Sequence, residues 1–195
     1  RPRRAGRFAT LLAAVVVLAA AVLTGCTSPN PTVPMEEDPG LPNHTIYRPQ
    51  TLPSEKLPIF VWGEGGCSAN GTMSLNFLRE IASHGFLVLA SGSPNGSGST
   101  TPAMMTKSMD WAVAENGRQG SKYRGKLDTT RIAVAGWSCG GLEACEVSND
   151  PRVTTTGIFS SGLLNDANDY QLKRLTKPIA YIIGGPSDIA YENAI

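Results

Sequence analysis

Three short stretches of this chain hold residue types that do chemistry together. Gly136-Trp137-Ser138-Cys139-Gly140-Gly141 sets a serine among glycines, Gly63-Glu64-Gly65-Gly66-Cys67 is a glycine-rich loop, and Gly184-Gly185-Pro186-Ser187-Asp188 ends on a carboxylate. A serine hydroxyl becomes an effective nucleophile when a base takes its proton and preorganised donors receive the oxyanion it creates. The stretches supply a nucleophile, backbone donors and an acid, in chain order serine then aspartate. They do not supply the base.

G-x-S-x-G is a short motif, and its surroundings give it content. An apolar run at 132–135 precedes it and a helical pattern at 141–148 follows, the strand–turn–helix setting of a nucleophile elbow. Gly136 and Gly140 leave space for strand and helix to close around a serine in a strained conformation. The turn also places Ser138 at a helix N-terminus, where the Cys139 N–H can meet an oxyanion. The plainer alternative is a merely tight turn. Gly65 and Gly66 would bring further N–H groups close to a substrate without an intervening Cβ, unless the loop is an ordinary glycine-rich turn. Asp188 follows the apolar run 179–183, at a strand's C-terminal edge. Its rivals are Asp166 and Asp169, and its plainer role is to cap a turn.

The elements that must position these residues alternate. Apolar runs predict strands at 59–62, 86–90, 132–135, 155–159 and 179–183. Helical spacing predicts helices at 73–83, 104–115 and 141–148, with a short one at 170–175. Strands apolar on both faces and separated by helices imply a mostly parallel sheet in a three-layer α/β sandwich. With 195 residues, 41% of them hydrophobic, there is room for one domain with a substantial core. A net charge of +1 gives no reason to expect nucleic acid as a partner.

Residues 1–25 read as a signal peptide, with Arg1, Arg3, Arg4 and Arg7 ahead of an apolar run at 8–23. That run is shorter than the roughly 20 residues a membrane-spanning helix needs. Its end, Leu23-Thr24-Gly25-Cys26, resembles a bacterial lipobox. The resemblance implies export and lipidation of Cys26, giving a lipid-anchored cell-surface protein; plain cleavage nearby would give a secreted one. Residues 26–43, rich in Pro, Ser, Asn and acid, read as a tether, and 44–195 as the folded domain.

The sequences GEGGCSANG, LREIASHGFLVLAS, DTTRIAVAGWSCGG and KPIAYIIGGPSDIAY resemble an exported α/β-hydrolase of the dienelactone-hydrolase and cutinase/polyesterase type. The match runs from about residue 57 to 191. It implies hydrolysis of carboxylic esters, small or polymeric, by a Ser-His-Asp triad with Ser138 as nucleophile and Asp188 as acid. Cys139, Gly65 and Gly66 would hold the oxyanion. Trp137 would line the acyl site, unless it is a packed core residue. No cofactor is implied. No metal is implied either, since two separated histidines and no clustered ligands make no site.

The chain has only two histidines, and neither suits the triad. His84 opens a strand, at the edge of the sheet opposite Ser138, and His44 lies on or near the tether. The family's chain order expects the base after one further strand, beyond residue 195, so that the domain as given lacks its last strand and helix. A catalytically inactive surface lipoprotein acting as a binding module is the alternative, and a thiol nucleophile at Cys139 is another. With Cys26 set aside, Cys67, Cys139 and Cys145 remain. A Cys67–Cys139 bond would join the two sources of oxyanion donors, with Cys145 a buried thiol; alternatively all three are small core residues.

Overall fold

Alternate residues of a strand face opposite sides of its sheet, and in this protein both sides are apolar. In β3 (Leu57–Gly63), Ile59 and Val61 join one buried cluster, while Trp62 joins another against which Phe60 packs. In β4 (Leu87–Ser91), Leu87 and Leu89 take the first side, Val88 and Ala90 the second. In β5 (Leu127–Trp137), Ile132 and Val134 oppose Ala135. Such strands need cover on both faces. Helix α1 (Leu75–Ser83) covers the second side with Leu78 and Ala82. Helices α2 (Pro102–Gly117) and α3 (Cys139–Val147) cover the first, through Met105, Met109, Ala112, Ala144 and Val147.

The computed structural model describes residues 33–163 and 166–193, of which 166–169 and 193 by backbone alone. The strands form a seven-stranded sheet in the order β1-β2-β4-β3-β5-β6-β7. Here β1 is Met35–Asp38, β2 is Leu41–Tyr47, β6 is Val153–Phe159 and β7 is Ile179–Ile182. From β4 to β7 every neighbouring pair is parallel, and β1 and β2 are antiparallel. This is the mostly parallel α/β sandwich that the sequence implies. Register sets Gly63 beside Gly136 and Trp137 beside Phe159. The segments that follow β3, β5 and β6 therefore leave the sheet at one common edge.

The hairpin β1–β2 corrects the sequence reading. Residues 33–43 are not tether: Val33 and Leu41 are buried and the sheet begins at Met35. The domain therefore starts before residue 44, and residues 59–62 belong to the third strand, not the first. Pro42, Asn43 and His44 hide the pattern, because His44 fills an inward position where an apolar residue would be expected. At β1 the anchor is charge. Glu36 takes Lys122 Nζ at 2.7 Å, Arg48 Nε at 3.3 Å and the Tyr123 hydroxyl. Burial raises the pKa of that carboxyl, but the Lys122 and Tyr123 hydrogen bonds outweigh it and hold the group below the usual range. Residues 1–25, expected to be a signal peptide, Cys26, expected to be lipidated, and residues 26–32, expected to be tether, lie outside the described residues. Among the described residues no helix is long and apolar enough to cross a membrane.

The two histidines serve different structural ends. His44 is buried in β2, with Nδ1 2.9 Å from Pro42 O and Nε2 3.0 Å from Met104 O, so it ties β2 to the first turn of α2. His84 follows α1 and is exposed beside Glu80. In urea unfolding, His44→Ala should therefore cost about 1–3 kcal/mol, the usual penalty for stranding buried polar partners. His84→Ala should stay within about 0.5 kcal/mol. Equal effects at the two sites would contradict this assignment.

Candidate active site

Strand β5 ends at Trp137 and α3 begins at Cys139, so the reversal falls on Ser138 alone. That residue has φ 51° and ψ −119°. A side chain in the left-handed region costs about 1–3 kcal/mol unless its surroundings compel it. Here they do. A Cβ on Gly136 would stand 2.2 Å from the Gly140 carbonyl, and one on Gly140 would stand 2.1 Å from Gly63 O. Strand β5, helix α3 and strand β3 thus meet backbone to backbone. Ser138 N–H donates to Phe159 O at 2.9 Å, and Ser138 O accepts the Ser161 hydroxyl at 2.7 Å. The serine is fixed from both sides.

The glycine-rich loop is fixed to the same helix. Gly140 N–H donates to Glu64 O at 3.1 Å. The Glu64 carboxylate is fully buried and accepts both Ser74 N–H (3.0 Å) and the Ser74 hydroxyl (2.6 Å), just ahead of α1. Residues Gly65–Cys67 make a 3₁₀ turn in which Gly66 has φ 64°. A Cβ on Gly65 would stand 2.4 Å from the Trp137 ring. The indole therefore rests on this loop while remaining 44% exposed beside Ser138.

Cys67 and Cys139 form a disulfide, Cα–Cα 5.1 Å. Closing a loop of sequence separation 72 is worth roughly 4 kcal/mol in the chain-entropy picture. Because its sulfur is bonded, Cys139 offers no thiol nucleophile. Cys145 is a free, buried thiol whose pKa burial pushes up to about 11. Cys67 O also accepts Thr100 N–H at 2.7 Å, and the Thr100 hydroxyl donates to Glu143 on α3 at 2.9 Å.

Asp188 faces the serine's cleft. A cavity of about 370 Å³ is lined by Trp137, Ser138, Ser160, Gly185, Asp188 and Ile189, among others. A smaller one of about 180 Å³ continues past Ser138 to Cys139, Leu142 and Gly162. The Asp188 carboxylate accepts Ala190 N–H and Gly184 N–H, each at 2.9 Å, and the Ser160 side chain. The Ala190 amide first, then Ser160 and Gly184, hold its pKa below the usual range. It is therefore ionised at neutral pH. The side chains of Asp166 and Asp169 lie outside the described residues. Neither His44 nor His84 lines these cavities. Among the described residues no three His, Cys, Asp or Glu side chains group as a metal site requires.

Four contributors escape sequence reasoning: Ser160, Ser161, Thr100 and Glu143. None stands in a motif, and each matters through a partner distant in sequence. Glu143 is the most informative. It is buried, and its Oε2 has no hydrogen-bond partner among the described residues. Desolvation raises its pKa, only partly offset by the Thr100 hydrogen bond. Because the folded state then binds the proton more tightly, stability falls as pH rises from the ordinary glutamate value to the raised one. Glu143→Gln removes that decline. Urea titrations at several pH values should show the variant gaining on the wild type across this window; a constant difference would refute it.

The model of a family described as PET hydrolase-like (PETase) matches residues 23–188 of the chain. No curated protein matches it.

Proposed function

We propose that this chain, which belongs to the PET hydrolase-like family of α/β-hydrolases, is a serine esterase of carboxylic esters. The family acts on esters through serine. The observation that carries the finer reading is Ser138, strained at φ 51° and opening onto the same cleft as the ionised Asp188.

In this reading Ser138 Oγ attacks the ester carbonyl and a histidine accepts its proton, while Asp188 orients the imidazole and stabilises its charge. The tetrahedral oxyanion sits against the N–H groups of Cys139, Gly65 and Gly66. The protonated histidine then delivers its proton to the leaving alkoxide. Water repeats the sequence on the acyl-enzyme and frees the acid. Trp137 and Ile189 flank the serine, 44% and 80% exposed, and offer apolar surface to a small or polymeric ester.

The histidine belongs to polypeptide that follows β7. Two features support this. His44 is committed to Pro42 O and Met104 O, and His84 sits exposed beside Glu80 and does not line the cleft. Strand β7 also leaves Ile179, Tyr181 and Ile182 about 40% exposed or more, an apolar edge that a further strand would cover. The protein works outside the cytoplasm, lipid-anchored through Cys26 or secreted. An oxidising compartment suits the Cys67–Cys139 bond.

In the full-length gene product, Ser138→Ala should lower kcat on p-nitrophenyl butyrate by on the order of 10³-fold or more. Fluorophosphonate labelling should vanish with it. A wild-type protein that neither hydrolyses nor labels would be the inactive binding module instead.

A further inference from the structure

Two residues in succession, Gly66 (φ 64°) and Cys67 (φ 47°), hold the left-handed backbone conformation. For Gly66 this is free of strain, but for cysteine it is not. Nothing stands within 4 Å of where a Gly66 Cβ would be, and Gly66 is exposed. Cys67 itself is half-buried, and its covalent bond to Cys139, the Thr100 N–H on its carbonyl and the Ser68 N–H on Gly65 O tie this turn down.

The far end of that bond is just as placed. Cys139 opens α3, where the first N–H groups have no partner within the helix. Around it Ser138 N–H goes to Phe159 O, Gly140 N–H to Glu64 O and Gly141 N–H to Ser138 O. The bond thus joins the residue carrying one oxyanion donor to the residue that follows the other two, Gly65 and Gly66.

We propose that the Cys67–Cys139 disulfide is a positioning device for the oxyanion hole, keeping Cys67 left-handed so that the Gly65, Gly66 and Cys139 amides converge. This rests on the serine-esterase reading above. Cutting the bond lets Cys67 relax and frees the adjoining Gly65–Gly66 segment to shift, which moves its amide donors and lowers the stabilisation of the transition state while leaving the substrate's apolar contacts intact. A dithiol reductant would cut it by exchange. Two electrons and two protons pass to the sulfurs, Cys67 and Cys139 become thiols, and the reductant leaves as its cyclic disulfide. Cys145 cannot intercept the bond, being buried and, with its pKa near 11, protonated at neutral pH.

The test uses full-length protein with Cys67→Ala, Cys139→Ala and both together, assayed well below the melting temperature of each, with circular dichroism confirming the fold. Removing one oxyanion donor outright costs about 10²–10³-fold in kcat, so misplacing donors should cost about 10- to 100-fold. KM should stay within about twofold. The three variants should share one kcat, since each removes the same bond, and fluorophosphonate labelling should slow in parallel. Reducing the wild type should bring its kcat to the same value, reoxidation should restore it, and the reductant should leave the double variant unchanged. Folded variants with wild-type kcat would overturn the inference alone. So would variants and reduced wild type that lose their circular dichroism signal together, because the bond would then be only a staple. An inactive, unlabelled wild type would overturn the esterase reading beneath it.

Discussion

The backbone of Gly140 presses on β3 so closely that a Cβ on Gly140 would stand 2.1 Å from the Gly63 carbonyl oxygen. Gly136 meets Gly140 at a comparable distance from the other side. This side-chain-free contact lets a helix start against the ends of two adjacent parallel strands. The turn is completed in a single residue, Ser138, at positive φ. The half-buried serine is thus positioned by packing two residues away, and the strain at φ 51° is held by burial elsewhere.

Around that contact the protein uses buried carboxylates as loop anchors. Glu64 draws its loop towards the start of α1 through Ser74, while its carbonyl receives Gly140 N–H. Glu143 reaches from α3 to Thr100, whose own N–H donates to Cys67 O. The segment at 91–101 is then stitched to the glycine-rich loop by Ala69 N–H to Gly98 O and Gly71 N–H to Ser93 O, each 3.0 Å. Loops rich in Ser, Gly and Asn have little apolar surface to bury, so hydrogen bonds and one disulfide set their shape instead. The loop held in this way is the one on which Trp137 rests beside Ser138.

How much of this is legible beforehand depends on where each residue's partner lies. The central strands and the three α-helices among the described residues are readable because their apolar periodicity repeats within a few residues, as in Ile59, Val61 against Phe60, Trp62. The serine motif is readable because glycine is needed at fixed offsets from the turn. The β1–β2 hairpin is not, because His44 hydrogen-bonds Met104 O some 60 positions away and Glu36 pairs with Lys122 and Tyr123. Local composition there reads as a linker.

What the sequence determined by itself is the alternation of strands and helices, the mostly parallel sheet it requires, and the glycine–serine turn between β5 and α3. These follow from steric and solvation rules that act over a few neighbouring residues. Only the tertiary structure decided that Trp137 lies on Gly65 and stays half exposed, and that Asp188 shares its cleft with Ser138. It alone joined Cys67 to Cys139 and left Glu143 Oε2 buried without a partner. Each of these depends on the register of strands distant in sequence, and a shift of register by one residue would turn every side chain of a strand to the opposite face.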